Sequence, residues 1–230
     1  MNVQGYQKMT LLDFPGKVAC TVFTGGCNLR CPFCHNASLV MEPNENGDAT
    51  ADVLSYLEKR RGILDGVCIT GGEPLLQADL DEFILRVREM GLAVKLDTNG
   101  TLPRQLKALL DRRLLDYVAM DIKSAPAHYS RAAGVEVDLT QIEQSIALIQ
   151  ASGIPHEFRT TAVKGIHLPE DFVAIAHLVG DSPYFIQRFV DSGNLLGTGC
   201  SAFSEEEGRQ ILSLVSPIAP HSKLRGQEDS

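Results

Sequence analysis

The feature that most constrains the fold of this chain is a regular alternation of short apolar runs with longer segments of helical spacing. Six runs rich in β-branched or aromatic residues predict strands, and they cover residues 18–23, 66–70, 93–97, 117–122, 156–163 and 184–190. A segment with helical periodicity follows each run, and the predicted helices cover residues 49–62, 80–91, 102–113, 139–153, 168–180 and 204–215. Strand–helix alternation predicts an α/β fold with a parallel sheet and right-handed crossovers, either an open doubly wound sheet or a curved, incomplete barrel.

Polar and thiol residues gather where successive predicted strands end. The segment TGGCNLRCPFC (24–34) follows the first strand, TGGEP (70–74) follows the second, DTNG (97–100) closes the third and DIK (121–123) closes the fourth, while Arg159 lies on the fifth. The carboxyl ends of parallel strands share one edge of a sheet, and ligands bind in the loops there. The pattern therefore predicts an active site at this edge.

Three thiols lie within eight positions of the first of these loops, at Cys27, Cys31 and Cys34. A structural zinc site normally takes four protein ligands, and the nearest fourth candidate, His35, is badly placed because it is adjacent to Cys34. A [4Fe–4S] cluster held by three thiolates would leave one iron open to another ligand. The preceding pair, Gly25 and Gly26, would allow a sharp turn beside such a cluster. From the residues alone the metal stays open.

Composition narrows the class of protein. The 230 residues carry 29 acidic and 21 basic side chains, a formal charge of −8, which argues against a nucleic-acid partner. The N-terminus does not resemble a signal peptide, and no apolar run approaches the ~18 residues of a membrane span. We expect a single cytoplasmic domain spanning 1–230, with a cluster loop at 24–38 and no membrane partner.

The C-x3-C-x2-C pattern, with Phe33 before its last cysteine, resembles the signature of the radical S-adenosylmethionine (SAM) superfamily. GGEP at 71–74 resembles the superfamily segment that binds the amino group of the methionine moiety. The segment 5–40 is similar to the activating proteins of glycyl-radical enzymes, closest to the longer form that serves anaerobic ribonucleoside-triphosphate reductase and also similar to that of pyruvate formate-lyase. Further residues that match activase motifs are Asp97, Thr98, Asn99, Asp121, Lys123 and Arg159.

The resemblance implies a partial TIM-like (β/α)6 barrel and one [4Fe–4S] cluster held by Cys27, Cys31 and Cys34, with SAM on the open iron. It implies that Gly71, Gly72 and Glu73 meet the ammonium group of SAM, while the residues of the DTNG and DIK motifs and Arg159 surround the rest. A monovalent cation beside Asp97 and Asp121 could bridge to the methionine carboxylate. Residues 35–70 contain only Cys68, so no ferredoxin-like segment with a second cluster is expected.

The implied reaction is reductive cleavage of SAM to a 5′-deoxyadenosyl radical, which takes a Cα hydrogen from a glycine of a large partner enzyme. The best supported partner is anaerobic ribonucleoside-triphosphate reductase, and a reduced flavodoxin or ferredoxin would supply the electron. Residues 187–199 are a candidate lining for the groove that admits the glycine loop. Three alternatives stay open: an activase of another glycyl-radical enzyme, a small-molecule radical SAM enzyme that rearranges a pterin-like ring, and a structural zinc or redox module.

Overall fold

The computed structural model describes residues 1–41, 43, 48–191, 193 and 195–226. Within them the strands are β1 (Val3–Thr10), β2 (Ala19–Thr24), β3 (Gly66–Gly71), β4 (Ala93–Thr98), β5 (Tyr117–Asp121), β6 (His156–Lys164), β7 (Tyr184–Arg188), β8 (Ser201–Ala202) and β9 (Ser222–Arg225). The α-helices are α1 (Ala37–Met41), α2 (Thr50–Glu58), α3 (Leu80–Glu89), α4 (Pro103–Asp111), α5 (Tyr129–Ala133), α6 (Leu139–Ser152), α7 (Pro169–Val179) and α8 (Glu205–Val215).

The strands form one curved, unclosed sheet in the order β1-β2-β3-β4-β5-β6-β7-β9, and β8 pairs with β6. Strands β2 to β7 and β9 are parallel, whereas β1 is antiparallel to β2. The six predicted strands are β2 to β7, with bounds within two residues, and all six predicted helices are present. The prediction of an α/β partial barrel is confirmed.

Strands β1, β8 and β9 were not predicted. Strand β1 has the sequence VQGYQKMT, and only its first and last residues are buried, because it lies at the edge of the sheet and its central side chains are not covered. Strands β8 and β9 have two and four residues, too short for an alternating apolar pattern to appear. Edge position and short length therefore hid these strands from sequence periodicity.

The helices pack on the sheet through apolar stripes of helical spacing. In α3 the buried residues are Leu80, Phe83, Ile84 and Val87, and the charged residues of this helix lie outside the stripe. Helix α6 is capped at its amino terminus by Asp138, whose side chain accepts a hydrogen bond from the Thr140 main-chain N–H at 3.0 Å, and at its carboxyl terminus by Gly153 in the left-handed conformation. None of the described helices is long and apolar enough to cross a membrane.

The loop between β1 and β2 covers the amino-terminal end of the parallel strands. Phe14 is 2% exposed, and its ring centroid lies 6.0 Å from that of Tyr117. At Gly66 a Cβ atom would lie 2.9 Å from the Phe14 ring, so this strand begins directly against the aromatic side chain. The opposite, carboxyl-terminal end of the strands is therefore the open one.

Candidate active site

One open cavity occupies the carboxyl-terminal edge of the sheet, and it encloses about 770 Å³ including its mouth. The three clustered thiols line it together with Phe33, and so do most of the other predicted site residues: Gly71, Gly72, Asp97, Thr98, Asn99, Asp121 and Lys123. Glu73 and Arg159 are absent from the lining. The fold thus brings the end of β2, β3, β4 and β5 to a single space, as parallel pairing requires.

The three thiols surround a space rather than a point. Cys27 and Cys34 are half-buried and Cys31 is buried, and no three His, Cys, Asp or Glu side chains in the described part of the chain are placed to hold one metal ion. Burial raises the pKa of Cys31 to about 11, and the Lys123 ammonium opposes that rise. A metal bound by these thiols would deprotonate them outright, against the effect of burial.

Glycines let the loop after β3 lie directly against the cluster loop. A Cβ atom on Gly72 would lie 1.9 Å from the Gly26 carbonyl oxygen, and one on Gly71, whose φ is +111°, would lie 2.4 Å from the Thr24 nitrogen. The Glu73 N–H donates to the Gly26 carbonyl at 2.8 Å. Gly26 itself has a φ of +84°, which confirms the predicted sharp turn.

Glu73 ties two loops together and does not face the cavity. Its carboxylate accepts hydrogen bonds from the Thr98 hydroxyl at 2.8 Å, the Asn99 N–H at 2.7 Å and the Leu75 N–H at 3.1 Å. Burial raises the pKa of Glu73 to about 7, although these donors lower it. The structure buries this carboxylate between the GGEP and DTNG loops, and a contact of Glu73 with the SAM ammonium stays a prediction.

A ring of hydrogen bonds connects the DTNG loop to the cluster loop. The Asn99 amide donates to Asn28 Oδ1 at 2.9 Å, Asn28 donates to Thr101 Oγ1 at 2.7 Å, and Thr101 donates back to Asn99 Oδ1 at 2.6 Å. Asn99 Nδ2 also lies 3.8 Å from Cys27 Sγ, which accepts from the Leu29 N–H at 3.4 Å. Asn28 and Thr101 were missed in the sequence, although Asn28 lies within the cysteine motif and Thr101 directly follows DTNG.

Arg159 bridges the two aspartates of the rim. Its Nε donates to Asp121 Oδ1 at 2.8 Å and its Nη1 to Asp97 Oδ2 at 3.2 Å. Lys95 pairs with the other Asp97 oxygen, and Lys123 pairs with Asp121 Oδ2 at 3.2 Å. Burial raises the pKa of both carboxyls, but Arg159 and the lysines outweigh it and hold the pKa values of Asp97 and Asp121 below their usual range.

These pairs bear on two expectations, a contact of Arg159 with SAM and a monovalent cation beside the aspartates, and both stay predictions. Arg159 lies behind the aspartates rather than at the cavity surface, and the two carboxylates face side-chain cations. Asp97 and Asp121 would repel the SAM carboxylate unless a positive charge lay nearby. Lys95, Lys123 and Arg159 supply that charge in the structure.

Residues that follow β6 and β7 also contact the cluster loop. Phe33 is 5% exposed, and its ring lies 5.9 Å from the ring of His167, whose Nε2 lies 2.7 Å from the Lys123 carbonyl oxygen. The segment 187–199 reaches the same loop, because Phe189 stacks on His35 at 5.6 Å and the Gly197 N–H donates to the Pro32 carbonyl at 2.8 Å. Positions 192 and 194 of that segment lie outside the described residues.

Sequence comparison decides the family. Residues 21–179 match the model of the radical SAM superfamily. This chain belongs to the radical SAM superfamily. It is similar to a protein of Methanocaldococcus jannaschii, provisionally named a glycyl-radical enzyme activating enzyme, at 34% identity over 81% of this chain and 79% of that protein. A Thermococcus kodakarensis protein provisionally named GTP 3′,8-cyclase is 30% identical over 68% of this chain, which spans only 52% of the cyclase.

Solved structures show the same fold at low sequence identity. A radical SAM methyltransferase from Sphaerobacter thermophilus superimposes with a TM-score of 0.70 at 14% identity, over 94% of this chain and 68% of that one. Streptococcus suis SuiB bound to its precursor peptide SuiA superimposes with a TM-score of 0.72 at 14% identity, over 90% of this chain and 48% of that one. The superfamily implies a [4Fe–4S] cluster and SAM.

Proposed function

We propose that this radical SAM enzyme is a glycyl-radical-enzyme activating enzyme that cleaves SAM reductively and whose partner is anaerobic ribonucleoside-triphosphate reductase. The observation that carries the proposal is the convergence of three thiols and the polar ends of three further strands on one open cavity. The relative from Methanocaldococcus jannaschii supports the activase branch, because the two chains match over about four fifths of both lengths.

The residues present fit an iron–sulfur cluster with SAM beside it. Cys27, Cys31 and Cys34 would hold three irons of a [4Fe–4S] cluster, and the bound groups would supply the electron and the 5′-deoxyadenosyl radical. Gly72 has no room for a side chain, so the main chain itself forms the wall beside the thiols. A structural zinc site is disfavoured, because the described thiols do not converge with a fourth ligand.

The charged residues would orient SAM by its polar ends. Main-chain groups of Gly71 and Gly72 line the cavity beside the thiols and would receive the ammonium group. Lys123 also lines the cavity and would face the carboxylate. We propose that Lys123 and Arg159 serve here in place of the monovalent cation, since the carboxylates of Asp97 and Asp121 are already paired with them.

The open mouth would admit a glycine-bearing loop of the partner enzyme. Residues 195–199, which are held on the cluster loop through Gly197, would line one side of that mouth. The electron would come from a reduced flavodoxin or ferredoxin, which donates to clusters of this kind.

The proposal is tested by electron paramagnetic resonance under anaerobic conditions. Reconstituted protein, SAM and a reductant are mixed with each candidate glycyl-radical enzyme, and we expect a glycyl radical with the ribonucleotide reductase. Cys31→Ser should abolish the signal, whereas Cys200→Ser, a matched change of a cysteine outside the cavity lining, should retain it. Cleavage of SAM without a radical on any candidate would contradict the proposal.

A small-molecule reaction is the second candidate, and the identity to the Thermococcus kodakarensis cyclase favours it. In that case GTP should accelerate SAM cleavage by the isolated protein, with no partner enzyme present. Measuring the 5′-deoxyadenosine that the isolated protein forms from SAM and reductant, with and without GTP, distinguishes the two functions.

A further inference from the structure

His167 is a buried histidine whose ring is bonded to two main-chain groups. The residue is 3% exposed, its Nδ1 lies 3.1 Å from the Val163 nitrogen, and its Nε2 lies 2.7 Å from the Lys123 carbonyl oxygen. A main-chain N–H can only donate a hydrogen bond, and a carbonyl oxygen can only accept one. Nδ1 therefore carries the lone pair and Nε2 carries the proton, so the two partners select one neutral tautomer of the ring.

Two aromatic rings and a tight turn fix the orientation of this imidazole. Its ring centroid lies 5.9 Å from that of Phe33 in the cluster loop and 5.5 Å from that of Phe172 on α7. The main-chain N–H of His167 also donates to the Val163 carbonyl at 2.9 Å, so both the main chain and the side chain of the histidine bond to Val163. The Nε2–H group is thus directed at Lys123 from a rigid support.

Lys123 lies just beyond the end of its strand. Strand β5 ends at Asp121, and the next residue still contacts β6, because the Ile122 N–H donates to the Arg159 carbonyl at 2.8 Å. At Lys123 the carbonyl accepts from the His167 side chain instead. The position of this main chain sets the base of the lysine side chain, which lines the cavity and pairs with Asp121 at 3.2 Å.

We propose that His167 is a positioning residue for SAM binding: its Nε2–H fixes the main chain at Lys123 and so keeps the lysine ammonium group in place for the SAM carboxylate. The inference rests on the proposed function, in which Lys123 faces that carboxylate. A lysine is a point charge on a flexible stem, and a contact that fixes the base of the stem in advance lowers the ordering cost of binding. Among the described residues His167 does not line the cavity, so it acts through Lys123 rather than on the ligand.

Two amide variants separate the two hydrogen bonds of the ring. In His167→Gln an amide N–H reaches the position of Nε2 and keeps the bond to Lys123, whereas the shorter side chain of His167→Asn keeps only an acceptor for the Val163 N–H. The dissociation constant of SAM is measured on the reconstituted full-length protein by anaerobic equilibrium dialysis, without reductant or partner enzyme, so that no SAM is cleaved. His167→Asn should raise this constant about tenfold, and His167→Gln should stay within about threefold of wild type.

His156→Asn is the matched control. The His156 ring also bonds to two groups, the Ile154 carbonyl at 3.0 Å and the Ser182 hydroxyl at 3.3 Å. It lies at the first residue of β6, at the opposite end of that strand from His167. The control should keep the wild-type dissociation constant.

A double-mutant cycle shows whether the effect passes through Lys123. In the Lys123→Met background His167→Asn should weaken SAM binding no further, because the ammonium group that it positions has been removed. A further loss in the double variant would overturn the inference, and so would equal dissociation constants for the two amide variants. Loss of iron from either amide variant would also overturn it, since His167 would then support the cluster loop through Phe33. Wild-type protein that binds the cluster but not SAM would instead refute the proposed function.

Discussion

At the residue scale, the acidic side chains around the cavity are hydrogen-bonded or ion-paired to other protein groups. Glu73 and the pair Asp97 and Asp121 were all expected to touch SAM or a cation. In the structure Glu73 accepts three protein donors, and Arg159 joins the two aspartates. A single sequence shows that a carboxylate lies in a motif, but partners such as Arg159 and the Asn99 N–H come from other strands and loops and are invisible until the sheet is assembled.

Replacing Glu73 with Gln should destabilise the protein by about 1–3 kcal/mol, because an amide nitrogen would face one of three buried donors. Chemical denaturation at pH 8 measures this, and Glu143→Gln on the exposed face of α6 should change the free energy of unfolding by no more than about 0.5 kcal/mol. Equal effects of the two changes would show that the three hydrogen bonds are unimportant.

The same carboxyl should make stability depend on pH. Burial raises the pKa of Glu73 from 4.5 to about 7, so between these values the folded state binds more protons than the unfolded state. The free energy of unfolding therefore falls as pH rises through that window. In Glu73→Gln this contribution should disappear, and the wild type should lose stability relative to the variant from pH 4.5 to 7. A constant difference between the two proteins across this range would contradict the raised pKa.

Removing the Arg159 guanidinium should leave two half-buried carboxylates without a shared partner. We expect Arg159→Met to destabilise the protein by about 1.5–3 kcal/mol near neutral pH, the usual range for hydrogen bonds to charged groups, as measured by denaturant unfolding. In wild type this contribution is present above the ordinary aspartate pKa and is lost as pH falls through the lowered folded values, so the difference should shrink in acid. Arg209→Met, which removes an exposed pair with Glu205 on α8, should cost no more than about 1 kcal/mol.

At the element scale, the loops after β2, β3 and β4 form one unit around the cavity. Sequence periodicity located the strands, and the motifs located their ends, because both signals are local. Neither signal could show that the main chains of the loops after β2 and β3 touch at Gly26 and Gly72. Nor could either signal find Asn28 and Thr101, whose hydrogen bonds depend on loop conformation. Edge strands β1 and β9 were missed because few of their side chains are buried.

Gly72→Ala should push the loop after β3 away from the cluster loop, since the new Cβ would start 1.9 Å from the Gly26 carbonyl oxygen. We expect iron content after reconstitution to fall several-fold while the apoprotein keeps its helical circular dichroism. Gly5→Ala on β1, where a Cβ meets nothing within 4 Å, should leave iron content unchanged. Full iron content in Gly72→Ala would show that close contact between the two loops is not needed for cluster binding.

At the scale of the whole molecule, the sheet is closed by Phe14 at one end and open at the other, so the chemistry is confined to one edge. The net charge argues against a nucleic-acid partner, but it does not identify the partner enzyme, whose recognition depends on the shape of the open mouth. The absence of further cysteine clusters between 35 and 70 predicts one cluster. Iron and sulfide analysis should give about four irons per chain, and about eight would contradict it.

The most direct measurement of the central claim follows the hydrogen atom itself. Each candidate partner enzyme is prepared with glycine deuterated at Cα, mixed anaerobically with this protein, SAM and reductant, and 5′-deoxyadenosine is analysed by mass spectrometry. The activase account predicts that the product gains one deuterium as the glycyl radical of anaerobic ribonucleoside-triphosphate reductase appears, and that Cys31→Ser gives neither. Unlabelled 5′-deoxyadenosine formed at full rate with every candidate would contradict it.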